Sequence, residues 1–230
     1  MKTIVESAQT CIKNIEKTCP AQFKRGICVE ESIPEGALLF IGINPSFTEG
    51  DPVLGMPDYH PTYRLDNLQH PYFKKAKEIA HSMNLPFGHH DLFPVRERNQ
   101  KFIEQMFNGG QCGPLIPQEK YRTFVEESFS WSAEAIINAK PKMIVVINAF
   151  ASRLFFDAQI NGANLLGFKP ANGDLWNEEL GADFIRMKGL VVPILFSGML
   201  SGQRALDRYS EHRLCWHIHH VLSHPNCWPK

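Results

Sequence analysis

Apolar residues gather in short blocks, cut apart by polar turns and by Gly and Pro, and the blocks alternate between strand-like and helix-like spacing. Ala37 to Ile41, A-L-L-F-I, is bounded by Pro34-Glu35-Gly36 on one side and by Gly42 and Asn44-Pro45-Ser46 on the other. A run that short with no polar stripe predicts a strand buried on both faces. Met143 to Ile147 predicts a second strand of this kind, and Leu190 to Phe196 a third, as the far arm of a hairpin whose near arm is Phe184 to Met187. His89 to Val95, H-H-D-L-F-P-V, predicts a further strand that Pro94 confines to an edge or an end. Helical spacing is found over residues 3 to 18, where Ile4, Ala8, Cys11, Ile12 and Ile15 recur, and over Tyr72 to Met83, where Phe73, Ala76, Ile79 and Ala80 share a stripe with the lysines off it. Lys101 to Phe107, Tyr121 to Asn138, Ala149 to Phe156 and Ala205 to Leu222 read as helices too. Residues 161 to 182, rich in Gly, Asn and Pro, read as irregular. A short strand at Ile27 to Val29 is possible within the connector that leads to Ala37. Strand, short turn and helix recur in that order, which predicts right-handed crossovers and a parallel sheet in an α/β domain spanning 1–230.

Composition narrows the function classes. With 230 residues and 43% hydrophobic content the chain can bury a substantial core. Lysine plus arginine equals aspartate plus glutamate at 24 each, so there is no overall field for a nucleic acid or a membrane, and any such surface is local. The amino terminus has no long apolar stretch and no later run approaches bilayer length, so a cytoplasmic protein with no membrane partner is expected. The six cysteines form no C-x-x-C pair and read as reduced packing thiols. An iron–sulfur cluster on Cys11, Cys19, Cys28 and Cys112 stays open as an alternative, with irregular spacing against it. His217, His219, His220 and His224 have no carboxylate fixed beside them in the H-E-x-x-H manner and read as a solvated or packed face, so no metal is expected. Neither G-x-x-x-x-G-K nor G-x-G-x-x-G occurs, which disfavours nucleotide-phosphate and dinucleotide chemistry, and no cofactor is expected.

Two polar turns carry the candidate chemistry. In open α/β sheets the ligand crevice lies at the carboxyl ends of the strands, so Asn44, directly after the first buried strand, is the first residue to examine. The plain alternative is that Asn-Pro-Ser only closes the strand. The second turn, S-G-M-L-S-G-Q-R from Ser197 to Arg204, follows the last strand, and its plain alternative is a helix start with Ser201 as N-cap. Between them the long loop from Thr48 to Pro71 holds Tyr59, His60 and Tyr63, which suit either a pocket or packing.

In order along the chain, from about Gly26 to Leu222, these landmarks resemble the uracil-DNA glycosylase superfamily. F-I-G-I-N-P-S is similar to the first motif of the mismatch-specific uracil and thymine DNA glycosylases. D-L-F-P-V-R-E-R-N and A-K-P-K-M-I-V-V-I-N-A-F-A-S are similar to the second and third strands of the thermostable bacterial and archaeal branch. S-G-M-L-S-G-Q-R stands where the family carries its second motif. The resemblance implies a three-layer α/β/α sandwich about a central, mainly parallel four-stranded sheet. It also implies a monofunctional DNA glycosylase, acting as a monomer, that hydrolyses the N-glycosidic bond of a flipped uracil or other damaged base and leaves an abasic site.

By that resemblance Asn44 positions the water beneath a C1′ centre that becomes oxocarbenium-like as the bond breaks. Gly42, Ile43, Pro45, Ser46 and Phe47 border the base, with peptide N–H groups around Pro45, Ser46 and Phe47 holding the departing anion. Tyr59, or else Phe47, stacks on the base. Met199 and Leu200 form the wedge that fills the vacated stack, and Ser201 and Arg204 grip phosphates. Arg96, Arg98 and Lys101, with Arg204, Arg208 and Arg213, supply a local basic patch. Two positions depart from the family. Where an asparagine reads the base at the start of the second strand, this chain has Asp91, which when ionised only accepts hydrogen bonds and would suit a base edge that donates. Alternatively Asp91 pairs with Arg96 or Arg98. The turn at Ser197-Gly198-Met199 lacks the histidine of most of the family, as the mismatch-specific branch also does. Two rival readings remain: a catalytically silent member that binds nucleic acid or another partner through the same crevice, and a hydrolase of free nucleosides or nucleotides.

Overall fold

The apolar runs become the sheet. The structure, a computed structural model, describes residues 6, 28–30, 32–46, 71–97, 100, 103–104, 118–156, 162–170, 176–202 and 204–229. Its strands are β1 (Leu38–Gly42), β2 (Phe87–Asp91), β3 (Met143–Val146), β4 (Lys169–Pro170), β5 (Trp176–Asn177), β6 (Ala182–Met187) and β7 (Leu190–Phe196). Its helices are α1 (Pro71–Ser82), α2 (Gln118–Ala139), α3 (Ala149–Phe156), the single turn α4 (Gly162–Leu165) and α5 (Arg208–Ser223). The α/β class expected from the alternation is what the chain adopts.

The sheet runs β2-β1-β3-β7-β6-β4, with β5 pairing β6 off that path. It is wider than the four strands expected. Leu38 to Ile41 lie parallel to Met143 to Val146, and Ile144 to Val146 parallel to Ile194 to Phe196. The hairpin partner β6 and the short β4 and β5 then pair antiparallel, so the sheet is mixed. The hairpin turn is Lys188-Gly189 with φ of 39° and 83°, the two positive values that a tight turn between right-twisted strands requires.

The chain divides into two units, one formed by Met1–Ser32, Ile43–Arg64 and Asp91–Ala135, the other by Ile33–Gly42, Leu65–His90 and Ile136–Lys230. In the second unit Leu38, Phe40, Val145 and Phe184 of the sheet pack with Ala76 and Ile79 of α1 and Leu214, Ile218 and Val221 of α5. Each such side chain, fully buried, contributes about 1.5–3 kcal/mol. An ion pair between Lys75 and Glu211 joins the two helices beside that core. Phe196 pairs with Val146, so it faces away from Leu195 and its cluster, and there it meets Phe155 of α3 with ring centroids 5.7 Å apart. In the first unit Phe93 meets Phe129 of α2 edge-on at 6.0 Å, and the Ser132 hydroxyl donates to the Leu92 carbonyl at 3.2 Å.

Two boundaries differ from the pattern. The strand expected over His89 to Val95 is Phe87–Asp91 instead, so Asp91 ends it and the chain bends through Leu92 and Phe93 before Pro94. Gly88 belongs inside this strand because a Cβ there would lie 2.9 Å from Ile33 Cγ2, 3.0 Å from Ala37 Cβ and 3.2 Å from Leu39 Cδ1. The closing helix begins at Arg208 rather than Ala205. Its N-cap is Asp207, whose carboxylate accepts from the Tyr209 and Ser210 N–H groups at 2.8 and 2.9 Å, and not Ser201. Of the helix expected over residues 3 to 18 only Glu6 is described, and it is helical.

Candidate active site

Gly42 ends β1, and Ile43 to Ser46 continue beside the stretch that follows β2. The Phe93 N–H donates to the Ile43 carbonyl at 2.9 Å and the Glu97 N–H to the Pro45 carbonyl at 3.1 Å, with Ser46 bridged to Glu97 in parallel. On the other side of this stretch the Cys28 N–H donates to the Pro94 carbonyl at 2.9 Å. Three extended segments therefore lie together in the first unit: 28–30, 93–97 and 43–46.

Asn44 sits in that lacing, half-buried. Its Nδ2 donates to the Pro45 carbonyl at 2.9 Å and, over a longer 3.4 Å, to the Val95 carbonyl. Two carbonyl partners fix which end of the amide is NH₂. The acceptor Oδ1 is thereby turned away from both carbonyls, in a fixed orientation. Pro45, having no N–H, offers nothing to an anion, while Ser46 is exposed and its own N–H lies outside the ladder that Glu97 makes with Pro45.

Asp91 is buried at the end of β2. Burial raises its carboxyl from 3.8 to about 8, so at neutral pH it is protonated. This corrects the expectation of an ionised, accept-only group: a carboxylic acid carries one O–H donor and one carbonyl acceptor. Glu30 is buried too, its carboxyl pushed well above the usual range first by burial and then by the charge of Asp91. Just before them in β2, His89 and His90 are held neutral, lowered to about 3 by burial and, for His89, by His90 as well. The His89 ring lies 4.8 Å from Phe73 and 5.8 Å from Tyr72, edge-on to both, as a core residue would.

In the second unit, the turn after β7 is closed on itself. The Leu206 N–H donates to the Met199 carbonyl at 2.8 Å, the Ala205 N–H to the Gly202 carbonyl at 3.1 Å, and Gly202 has φ of 83°. Leu200 is 2% exposed and packs in the core with α1 and α5. Its expected place in a wedge is therefore corrected: its burial is already taken up by this protein's own core. Met199 and Ser201 are half-buried, and Arg204 is exposed. The basic patch changes as well, since Arg96 is buried at 6% while Arg204, Arg208 and Arg213 are exposed. Phe47, Tyr59, Arg98 and Lys101 lie outside the described residues.

Asn148, between β3 and α3, is a helix cap. Its Oδ1 accepts from the Phe150 and Ala151 N–H groups at 2.8 and 3.0 Å and starts α3. Asn directly before a helical stretch was the available signal. Among the described residues no group of three His, Cys, Asp or Glu is arranged to hold a metal ion, and no helix is long and apolar enough to cross a membrane. The arrangement in the first unit thus offers an oriented acceptor and, at the neighbouring strand end, a neutral acid. No protein-family model, curated protein or solved structure matches the chain at a significant level.

Proposed function

We propose that the chain is a DNA glycosylase, akin to the uracil-DNA glycosylase superfamily, that hydrolyses the N-glycosidic bond of a base held against the ends of β1 and β2. The observation that carries this reading is the Asn44 amide just past the end of a core strand, whose Nδ2 is tied to two carbonyls, so that Oδ1 is the group left to accept from a water. An oriented acceptor costs no reorganisation when charge develops at C1′. Asp91 supports uracil as the base. A protonated carboxyl accepts from N3–H through its carbonyl oxygen and donates to O4 through its hydroxyl, the same pair of bonds that an asparagine amide makes. Of the DNA-holding residues that the resemblance implies, Met199, Ser201 and Arg204 keep exposed surface in the second unit and Leu200 does not. The enzyme would act as a monomer without a cofactor.

The burial of Leu200 favours a second reading, hydrolysis of a free nucleoside or nucleotide, which requires no wedge. One set of incubations separates the two. Duplexes carrying a single uracil, a thymine mismatch, hypoxanthine or xanthine are treated with protein and then with hot alkali, beside free deoxyuridine assayed for released base. Strand breakage at uracil, lowered about 10²–10³-fold by Asn44→Ala, is the expected result. Base release from the free nucleoside alone selects the second reading. No product from any substrate leaves only a silent binder.

A further inference from the structure

The outward face of α5 has a character that the proposed chemistry does not use. At 3.6 residues per turn, Tyr209, Arg213, Trp216 and His220 form one stripe. It lies opposite Leu214, Ile218 and Val221, which anchor the helix in the core. Tyr209 is 76% exposed and Trp216 65%, far more than aromatic side chains usually are. Trp176 stands beside them at 51%: a Cβ built on Gly181 would lie 3.5 Å from His217 Nε2 and 4.0 Å from the Trp176 ring. The Trp216 and His220 rings are already stacked, 5.0 Å apart with planes 7° from parallel, and His220 continues to His224 at 4.6 Å.

Charge gives the partner's sign. Arg208 and Arg213 are exposed around the stripe. The helix's own acid, Glu211, is on the opposite side in its ion pair with Lys75, and the Asp207 carboxylate is engaged at the N-cap by Tyr209, Ser210 and the nearby Arg213. No fully exposed aliphatic side chain lies along α5, so the exposed apolar groups of this face are ring systems alone. Aromatic rings alternating with arginines, on a helix fixed from behind, match an anionic polymer of flat rings. Seven residues at 1.5 Å put Tyr209 and Trp216 about 10 Å apart along the axis. A single strand that keeps its bases stacked at about the duplex rise of 3.4 Å covers that distance in three steps.

We propose that this face of α5 docks single-stranded nucleic acid, Tyr209 and Trp216 stacking on bases about three nucleotides apart and Arg208 and Arg213 meeting the phosphates between and beside them. The site is independent of Asn44 and Asp91 and needs no damaged base.

The test is fluorescence anisotropy of a labelled fifteen-nucleotide deoxythymidine oligomer titrated with the full chain at 50 to 300 mM salt. Binding is expected, with log K falling against log salt at a slope of about −1.4 for two phosphate contacts. Trp216→Ala and Tyr209→Ala should each weaken it about 5- to 150-fold, as loss of one base–aromatic stack does. Leu190→Ala, at an exposed hydrophobic residue of the β6–β7 hairpin, should leave it unchanged. Because the two aromatics are exposed, both variants keep the wild-type far-UV circular dichroism. Absence of binding at 50 mM salt overturns the proposal, as does binding that the double variant Tyr209→Ala/Trp216→Ala retains in full. Trp216-dependent association with anionic phosphatidylserine vesicles but not with the oligomer would assign the face to a membrane surface and overturn it equally.

Discussion

Asp91→Asn removes one titrating proton from the interior at nearly constant volume. In the unfolded chain an aspartate releases its proton near 3.8, whereas the folded Asp91 keeps it to about 8, so between those values folding takes up a proton. The sign follows. The stability tied to this group is fully present below pH 3.8 and is lost as the pH rises through 8. The interval is about four pH units at 1.36 kcal/mol each, a loss of about 5–6 kcal/mol by the alkaline end. Asparagine carries no such proton. Urea unfolding of the wild type and of Asp91→Asn at pH 5, 6 and 7 should therefore give a stability difference, variant minus wild type, that grows by about 1.4 kcal/mol per pH unit. Glu30 is present in both chains, so its own titration cancels from the difference while Asp91 remains neutral. In a uracil-excision assay the variant, which keeps a donor and an acceptor at every pH, should outlast the wild type above pH 8. A stability difference independent of pH would mean that the folded chain holds Asp91 ionised, and the buried-acid account and the base-reading role drawn from it would both be refuted.

Four further outcomes follow from the same coordinates. His89 is held near 3 against an ordinary 6.5, so the unfolded state binds a proton that the folded state refuses, and stability is lost as pH falls below 6.5. His89→Gln should make that acid limb shallower by about 1.4 kcal/mol per pH unit in the same urea series. Gly88→Ala places a methyl 2.9 Å from Ile33 Cγ2 and should cost about 1–3 kcal/mol, seen as a lower urea midpoint with unchanged slope. Asn148→Ala deletes the acceptor for two N–H groups at the start of α3 and should cost about 1 kcal/mol. Leu200→Ala should cost about 2–5 kcal/mol as a core cavity, whereas a wedge residue would lose DNA binding with little change in stability, and calorimetry beside a gel-shift titration distinguishes these.

The buried strands were legible because nothing but burial on both faces explains runs such as Leu38 to Ile41 and Met143 to Val146, and the stripe of α1 because four apolar residues recur at helical spacing. β4 and β5 were not legible. Two-residue strands have no pattern of their own and exist because β6 offers them an edge. The start of Phe87–Asp91 was not legible because a glycine inside a strand has no side chain to mark it, yet Gly88 is the residue that lets Leu39 and Ala37 approach. The same distinction divides the candidate site. Asn44 was readable, since its position at a strand's end follows from where an apolar run stops. The burial of Leu200 was not legible because the core cluster it joins is assembled from strands and helices distant in sequence. The state of Asp91 was beyond reach for a deeper reason: a carboxyl's charge is decided by the medium around it, and that medium is assembled by distant stretches of chain, among them 28–30 with Glu30. Read as an ionised letter, Asp91 has one direction of hydrogen bonding. Protonated, it has two, the pair that the proposed reading of uracil requires. If the proposed base-reading role holds, preference at this position is set by desolvation rather than by residue type, so exchanging Asp for Asn there should alter the pH range of recognition and leave the recognised base the same.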